Sequence, residues 1–129
     1  MPAFQILTHG KTSGYSMRWL IEVDRRLGSS HAEQSLPCQD NFCHLSKGNW
    51  HSICISDGAG SSRFSDVSSK FVSEYFSQSL LLLSDLIEVK GPGSWINDHI
   101  IRDVLDLRKG LKEYTGSPEL DDYHCTLVA

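Results

Sequence analysis

The sequence predicts an α+β domain in which antiparallel β-strands are flanked by two α-helices. Two observations lead to this prediction. Short apolar segments separated by turn residues fill the first half of the chain, and apolar residues at helical spacing fill much of the second half. The chain has 129 residues, 40% of them hydrophobic. It is therefore long enough for one domain with a core and too short for two ordinary domains.

The predicted strands are short and lie mostly before residue 56. Residues 1–16 show little periodicity and are expected to form a loosely held arm, and residues 19–23 form the first predicted strand. Residues 42–45 and 50–55 are predicted to pair as an antiparallel hairpin through a turn at residues 47–49. Residues 125–129 are predicted to form a last strand.

Two amphipathic helices are predicted after residue 65, both packed against one face of the sheet. Ser65 is the predicted N-cap of the first helix and Ser94 that of the second. Gly91 and Gly116 lie where the two helices are expected to end. The predicted apolar faces comprise Val67, Phe71, Val72, Tyr75, Phe76 and Leu80 in the first helix, and Ile96, Ile100, Ile101, Val104, Leu105 and Leu111 in the second.

Asp57 ends an apolar strand and is followed by the glycine-rich loop GAGSSR. Gly58 and Gly60 allow the backbone to fold back, which places one carboxylate beside bare peptide groups. Such a site suits a hard divalent cation, which prefers carboxylate and carbonyl oxygens, or a phosphate. For an Asp-Gly pair alone, an ordinary turn is the more frequent explanation. A second acid is needed to decide between them.

Asp40 is the second acid, at the start of the other hairpin strand. Antiparallel pairing brings the start of one strand beside the end of the next, so we expect Asp40 and Asp57 to converge at one end of the sheet. Two neighbouring carboxylates repel unless a cation or a proton lies between them. The spacing alone leaves open a metal site, an acid dyad or two solvated loop acids.

Composition argues against several other classes of protein. The formal net charge is -4, from 12 basic and 16 acidic residues, and there is no basic cluster for nucleic acid. The longest apolar run covers residues 80–83 and the N-terminus lacks a signal-peptide pattern, so we expect a cytoplasmic protein without a membrane span. Four cysteines without a C-x-x-C pair are expected to be reduced. The loop GAGSSR also lacks the Lys-Ser/Thr ending of a nucleotide-binding P-loop.

The sequence contains the segments GSSHAEQSLPCQDNF and ICISDGAGSSRFSDVSSKFV. Together they resemble the N-terminal half of the type 2C metal-dependent serine/threonine protein phosphatases, in particular the bacterial branch. The terminal DDYHCTLVA is similar to the strand with Thr-Leu in that family. The resemblance implies two stacked sheets between helix layers, hydrolysis of phosphoserine and phosphothreonine in proteins, and a pair of Mg²⁺ or Mn²⁺ ions. It also implies a cognate protein kinase.

The resemblance assigns roles to three residues. Asp57 resembles the acid that bridges the two metals, and the carbonyl of Gly58 resembles the backbone ligand beside it. Asp40 resembles the acid that reaches the centre directly or through water. The mechanism implied by the family is in-line attack of a metal-bridging water on phosphorus.

The chain departs from the family pattern in two ways. His31 stands where many members have a phosphate-binding Arg, which makes His31, and secondarily Arg63, candidates for phosphate binding. A surface-loop His and a solvated Arg are the alternatives. The further acidic motifs of the family are absent, so we expect residues 1–129 to correspond to the N-terminal portion of the domain, weak or inactive alone. The alternative function is a non-catalytic module that binds phosphate or a partner protein.

Four other polar residues are assigned structural roles. Asp121 and Asp122 lie in a turn before the last predicted strand and are expected to be solvated. His124 is expected on a sheet face. Cys38 adjoins the Gln-Asp pair without a nearby base, so we expect it to pack rather than to react.

Overall fold

The computed structural model describes residues 7–8, 21–22 and 37–129. The chain divides into two compact units, Met1–Cys38 and Gln39–Ala129. In the first unit, strand β1 (Leu7–Thr8) pairs antiparallel with strand β2 (Ile21–Glu22). Strand β2 lies within the first predicted strand, and β1 lies within the segment that we expected to be a loose arm. The other residues of those two segments lie outside the described residues.

The second unit contains the predicted hairpin. Strands β3 (Asp40–Lys47) and β4 (Trp50–Asp57) pair antiparallel over their whole length. A two-residue loop joins them, and its first residue, Gly48, has a φ of 59°, a left-handed conformation that glycine adopts without steric cost. The prediction of this hairpin is confirmed. Strand β3 extends two residues beyond its predicted limits at each end, and β4 begins at Trp50 as predicted and extends two residues further at its end.

Helix α1 spans Ser65–Lys90 and helix α2 spans Trp95–Thr115. Both predicted ends are confirmed. The backbone N–H of Gly91 donates to Ile87 at the end of α1, and that of Gly116 donates to Lys112 at the end of α2. A 3₁₀ turn at Leu120–Tyr123 follows. Together with the hairpin, these elements confirm the predicted α+β class.

The predicted caps at the helix starts are only partly right. Phe64 is the N-cap of α1, so the prediction of Ser65 as N-cap is wrong. Ser65 is instead the first helical residue, and its hydroxyl accepts a hydrogen bond of 2.8 Å from the side chain of Gln39. Ser94 is the N-cap of α2 as predicted, although its side chain makes no capping hydrogen bond.

Helix α1 packs on both strands of the hairpin through a side that is rich in small hydroxyl residues. The Ser69 hydroxyl accepts a bond of 2.7 Å from Asn41, and the Ser77 hydroxyl donates to the carbonyl of Cys43. Because serine is small and its hydroxyl can bond to nearby carbonyls, this side can lie close to the strands while its own hydroxyls are paired. The buried serines of α1 are Ser65, Ser68, Ser69, Ser73, Ser77, Ser79 and Ser84.

Helix α2 packs against α1 and not against the sheet, so the prediction that both helices cover one sheet face is wrong. Its buried side is narrow and is formed by Asp103, Leu107 and Leu111. Asp103 is accommodated because the hydroxyl of Ser79 donates to its carboxylate. The exposed fractions of four residues of its predicted apolar face are 37% for Ile100, 59% for Ile101, 39% for Val104 and 58% for Leu105.

The core is formed by buried residues from α1, α2, β4 and the 3₁₀ turn. Its buried residues are Cys54, Val72, Phe76, Leu107, Leu111 and Tyr123. The segment after the 3₁₀ turn runs antiparallel to β4, with isolated bridges that join Gly58 to Cys125 and Ile55 to Val128. The predicted last strand is therefore in place beside β4, as single bridges instead of a regular strand.

Two further observations concern cysteines and membrane spans. None of the four cysteines, all of which lie within residues 37–129, is joined in a disulfide bond. In the part of the chain that the structure describes, no helix is long and apolar enough to cross a membrane.

Candidate metal centre

Asp40 and Asp57 are direct partners in the β3–β4 register, at the open end of the hairpin. Directly opposed residues of an antiparallel pair project from the same face, with Cβ atoms about 4.5 to 5.5 Å apart. Asn41 and Lys47 of β3 both contact α1, so Asp40, which alternates with them, lies on the opposite face. Asp40 is buried and Asp57 is exposed. The predicted convergence of the two acids is confirmed, and their roles as ligands stay predictions.

Gly58 follows Asp57 at a point where the backbone has no room for a side chain. A Cβ atom on Gly58 would lie 2.5 Å from the carbonyl oxygen of Ser65 and 2.7 Å from that of Gln39. The Gly58 N–H also donates a hydrogen bond of 3.1 Å to the Gln39 carbonyl. The glycine is therefore required by close approach, and this contact fixes the peptide beside Asp57.

The segment after the 3₁₀ turn holds the other side of the same backbone. The Thr126 N–H donates to the carbonyl of Asp57 at 2.8 Å, and the Ala59 N–H donates to the carbonyl of His124 at 2.9 Å. The Ser56 hydroxyl also donates to the Thr126 carbonyl at 2.6 Å. Asp57 and Gly58 thus lie between two backbone segments, which restrict their movement.

Asp121 and Asp122 contribute to the site through their backbone. The carbonyl of Asp121 accepts a bond of 2.8 Å from the Ser62 hydroxyl, and the carbonyl of Asp122 accepts one of 2.9 Å from the Phe64 N–H. The Asp121 side chain is 95% exposed and lies 3.4 Å from Nε2 of His124. The Asp122 carboxylate is partly buried and accepts a bond from Ser117. Both acids hold the glycine-rich loop through their backbone. Asp121 is solvated as expected, whereas the expectation is wrong for Asp122, because its carboxylate is partly buried against Ser117.

The two candidate phosphate-binding residues are placed differently. Arg63 is exposed, and its guanidinium lies 4.8 Å from the centroid of the Phe64 ring. The Phe64 ring in turn stacks on Tyr123, with 6.1 Å between centroids. His31 lies outside the described residues. A phosphate-binding role for either residue stays a prediction.

The sequence reasoning missed Gln39 and Asn41, the two amides that flank Asp40. The Gln39 side chain donates to Ser65, and the Asn41 side chain donates to Ser69 and, at 3.4 Å, to the carbonyl of Asp66. Both side chains tie the start of β3 to the first turns of α1, so both position Asp40. The sequence feature that could have identified them is an acid with an amide residue on each side, followed by a serine-rich predicted helix.

The donor set at the open end fits a hard divalent cation. Asp40, Asp57 and the carbonyl of Gly58 offer oxygen atoms only, and Mg²⁺ is commonly held by one or two carboxylates together with water. Within residues 37–129 and the four described residues before them, no group of three or more His, Cys, Asp or Glu side chains could hold a metal. This donor set therefore suits a water-rich Mg²⁺ or Mn²⁺ site and not a closed zinc site.

A pocket of about 320 Å³ opens beside Asp57. It is lined by Asp57, Ala59, His124, Cys125 and Thr126. The exposed carboxylate of Asp57 is thus accessible from solvent.

The fold and this site define an α+β domain with a candidate divalent-cation centre at the open end of a hairpin. The family model described as protein phosphatase 2C matches residues 27–129. The chain belongs to the protein phosphatase 2C family, which confirms the resemblance seen in the sequence. The bacterial branch and the correspondence to an N-terminal portion stay predictions. A search of curated proteins gave no significant match, and a search of solved structures gave none.

Proposed function

We propose that this chain serves the metal-dependent hydrolysis of phosphoserine and phosphothreonine in proteins, with Mg²⁺ or Mn²⁺ as the cofactor. The proposal rests on the observation that Asp40 and Asp57 are paired directly opposite each other in strands β3 and β4. Membership of the protein phosphatase 2C family supports the reaction class.

The proposed roles follow from the exposure of each acid and from the backbone that holds it. Asp57, which is exposed beside the pocket, is the ligand that incoming cations and phosphate reach first. The buried Asp40 binds the cation from the other strand of the hairpin. The Gly58 carbonyl is the backbone ligand. When bound, divalent cations supply Lewis acidity and neutralise phosphoryl charge during attack by water. His31 and Arg63 are the candidates for contact with the substrate phosphate.

The proposed partners are serine- or threonine-phosphorylated proteins and the kinase that phosphorylates them. We place this activity in the cytoplasm, with neither nucleic acid nor membrane as a partner. The formal net charge of -4 supports the first of these exclusions.

The test uses the full chain, a small aryl phosphate and a phosphothreonine peptide, first with Mn²⁺ and then with a chelator. The proposal predicts weak phosphate release that the chelator abolishes. Asp57→Asn is expected to abolish release while the circular dichroism spectrum stays unchanged, because it removes one charged ligand and keeps the shape. Asp106→Asn, at an exposed position of α2, is the matched control and should retain release. Undiminished turnover by the Asp57→Asn variant contradicts the proposal.

A second candidate is a non-catalytic module that binds phosphate or a partner protein through the same loop. It is favoured by the observation that the described residues bring together two carboxylates and no larger metal-binding group. The same assay separates the two candidates. Metal binding without phosphate release supports the module.

A further inference from the structure

A pair of histidines lies on the face of the hairpin opposite to α1, near the turn. His44 of β3 is the register partner of Ile53, and His51 of β4 is the partner of Ser46. The two histidines are therefore diagonal neighbours on one face. Nε2 of His44 lies 3.2 Å from Nδ1 of His51, and the two rings lie edge to edge, with 17° between their planes and 5.5 Å between centroids.

The separation of these two nitrogens fits a shared metal ion. Zinc holds imidazole nitrogens at about 2.0 to 2.1 Å in a tetrahedral arrangement, which separates two such nitrogens by roughly 3.3 Å. In the metal-free protein one shared proton can occupy the same gap as a hydrogen bond. A metal ion at 2.0 to 2.1 Å from both nitrogens lies off the line that joins them, so its binding requires each ring to tilt by roughly 35° from the hydrogen-bonded arrangement.

We propose that His44 and His51 form a second metal site, one that takes borderline transition-metal cations such as Zn²⁺ or Cu²⁺. Imidazole nitrogen suits these cations, whereas Mg²⁺ and Mn²⁺ prefer oxygen. Among the described residues, no third His, Cys, Asp or Glu completes the group. Water molecules therefore fill the remaining coordination positions, and the ion exchanges readily.

This site is separate from the candidate centre at the open end. His44 lies four residues from Asp40 along β3, or roughly 13 Å at the rise of an extended strand. One face of the hairpin thus presents oxygen ligands at one end and nitrogen ligands at the other. An ion held by His44 and His51 links the two strands close to the turn, so its binding stabilises the hairpin.

The test is a titration of the full chain, labelled with ¹⁵N at histidine, with Zn²⁺ alone. Affinity is measured by competition with a chromophoric chelator. The imidazole resonances of His44 and His51 should shift together and before those of the other histidines. Loss of even an outer-shell partner of a metal ligand costs about 10- to 100-fold in affinity, so His44→Asn and His51→Asn should each weaken Zn²⁺ binding at least about tenfold. Cu²⁺ should bind more tightly than Zn²⁺.

His124→Asn is the matched control, because His124 is also exposed and lies 3.4 Å from a carboxylate oxygen of Asp121. It should leave Zn²⁺ affinity unchanged. In Asp57→Asn, the imidazole resonances of His44 and His51 should respond to Zn²⁺ as in the wild type, which separates this proposal from the phosphatase proposal. Wild-type affinity in both His44→Asn and His51→Asn, or wild-type resonances of His44 and His51 that do not respond to Zn²⁺, would overturn it.

Discussion

The two ends of the β3–β4 hairpin are held in different ways. At the open end, backbone hydrogen bonds from Gly58 and Thr126 fix the peptides around Asp57, and no side chain fits at Gly58. At the turn end, Lys47 forms an ion pair of 2.6 Å with Asp85, and the two side chains are 57% and 50% exposed. Solvent screens such an exposed pair, and its net contribution to stability is small.

This difference indicates which end can tolerate change. Ligands for a cation must be held within a fraction of an ångström, which requires support from groups that cannot move independently. The open end has that support from β3, α1 and the segment after the 3₁₀ turn. The turn end depends on flexible side chains, so substitutions there should leave the candidate centre unaffected.

The largest effect is expected for Gly58→Ala. The new Cβ would meet the backbone oxygen of Ser65 at 2.5 Å, and that oxygen cannot move without displacing the start of α1. Overpacking of this kind costs roughly 1 to 3 kcal/mol or more in the free energy of unfolding, which urea denaturation measures.

Gly60→Ala is the matched control in the same loop. Its Cβ would lie 3.4 Å from the side-chain oxygen of Gln39, which is an ordinary van der Waals contact, so the side chain can stay in place. A free energy of unfolding that drops equally in Gly58→Ala and Gly60→Ala would contradict the close-approach explanation.

Asn41→Ala should have the next largest effect. The substitution removes the hydrogen bonds from its amide to Ser69 and to the carbonyl of Asp66. Each hydrogen bond of this kind contributes about 0.5 to 1.5 kcal/mol to the free energy of unfolding. Gln78→Ala, at an exposed position of α1, is the control and should have little effect. Equal destabilisation of both variants would count against a positioning role for Asn41.

Cys54, midway along β4, should make stability sensitive to alkaline pH. Burial raises the pKa of its thiol above the ordinary value of 9.0. The unfolded chain therefore loses this proton at a lower pH than the folded protein, and the free energy of unfolding should fall as the pH rises above 9.0. Above pH 10.0, Tyr75 adds a fall in the same direction, because burial and then Asp103 raise its pKa.

Urea denaturation at several pH values measures this effect. Cys54→Ala should reduce the fall in stability between pH 9.0 and pH 10.0, whatever the substitution does to stability at neutral pH. Cys125→Ala, at a partly buried position, should leave the fall in place. The explanation fails if the pH dependence of Cys54→Ala equals that of the wild type.

The smallest effect is expected at the turn end. Lys47→Ala removes the ion pair with Asp85, which should cost between about 0 and 1 kcal/mol and less at high salt. Thermal denaturation at low and high salt tests this. A loss as large as that of Asn41→Ala would show that the two ends of the hairpin are not held differently.

The hairpin and its two opposed acids were predictable because they depend on local signals. Alternating residues and a short turn fix the register of an antiparallel pair, and the register alone places Asp40 opposite Asp57. The family could be recognised from the sequence for the same reason, since its motifs lie at the ends of these strands.

The features that the sequence did not predict depend on residues far apart in the chain. Ser65 is not an N-cap, and its hydroxyl accepts a bond from Gln39, 26 positions earlier. The apolar spacing of α2 could not tell which residues would meet a neighbour, because Asp103 is buried through its contact with Ser79 while Ile101 is exposed. Likewise, the close approach at Gly58 exists only once β3 and α1 have come together.

The most direct test of the central claim is a titration of the full chain with Mn²⁺, followed by electron paramagnetic resonance of the free ion. If Asp40 and Asp57 share a divalent cation, Asp40→Asn and Asp57→Asn should each weaken Mn²⁺ binding at least about tenfold, since even an outer-shell change costs that much. Both variants should keep the wild-type circular dichroism spectrum. Folded Asp40→Asn and Asp57→Asn proteins that bind Mn²⁺ as tightly as the wild type would contradict the claim.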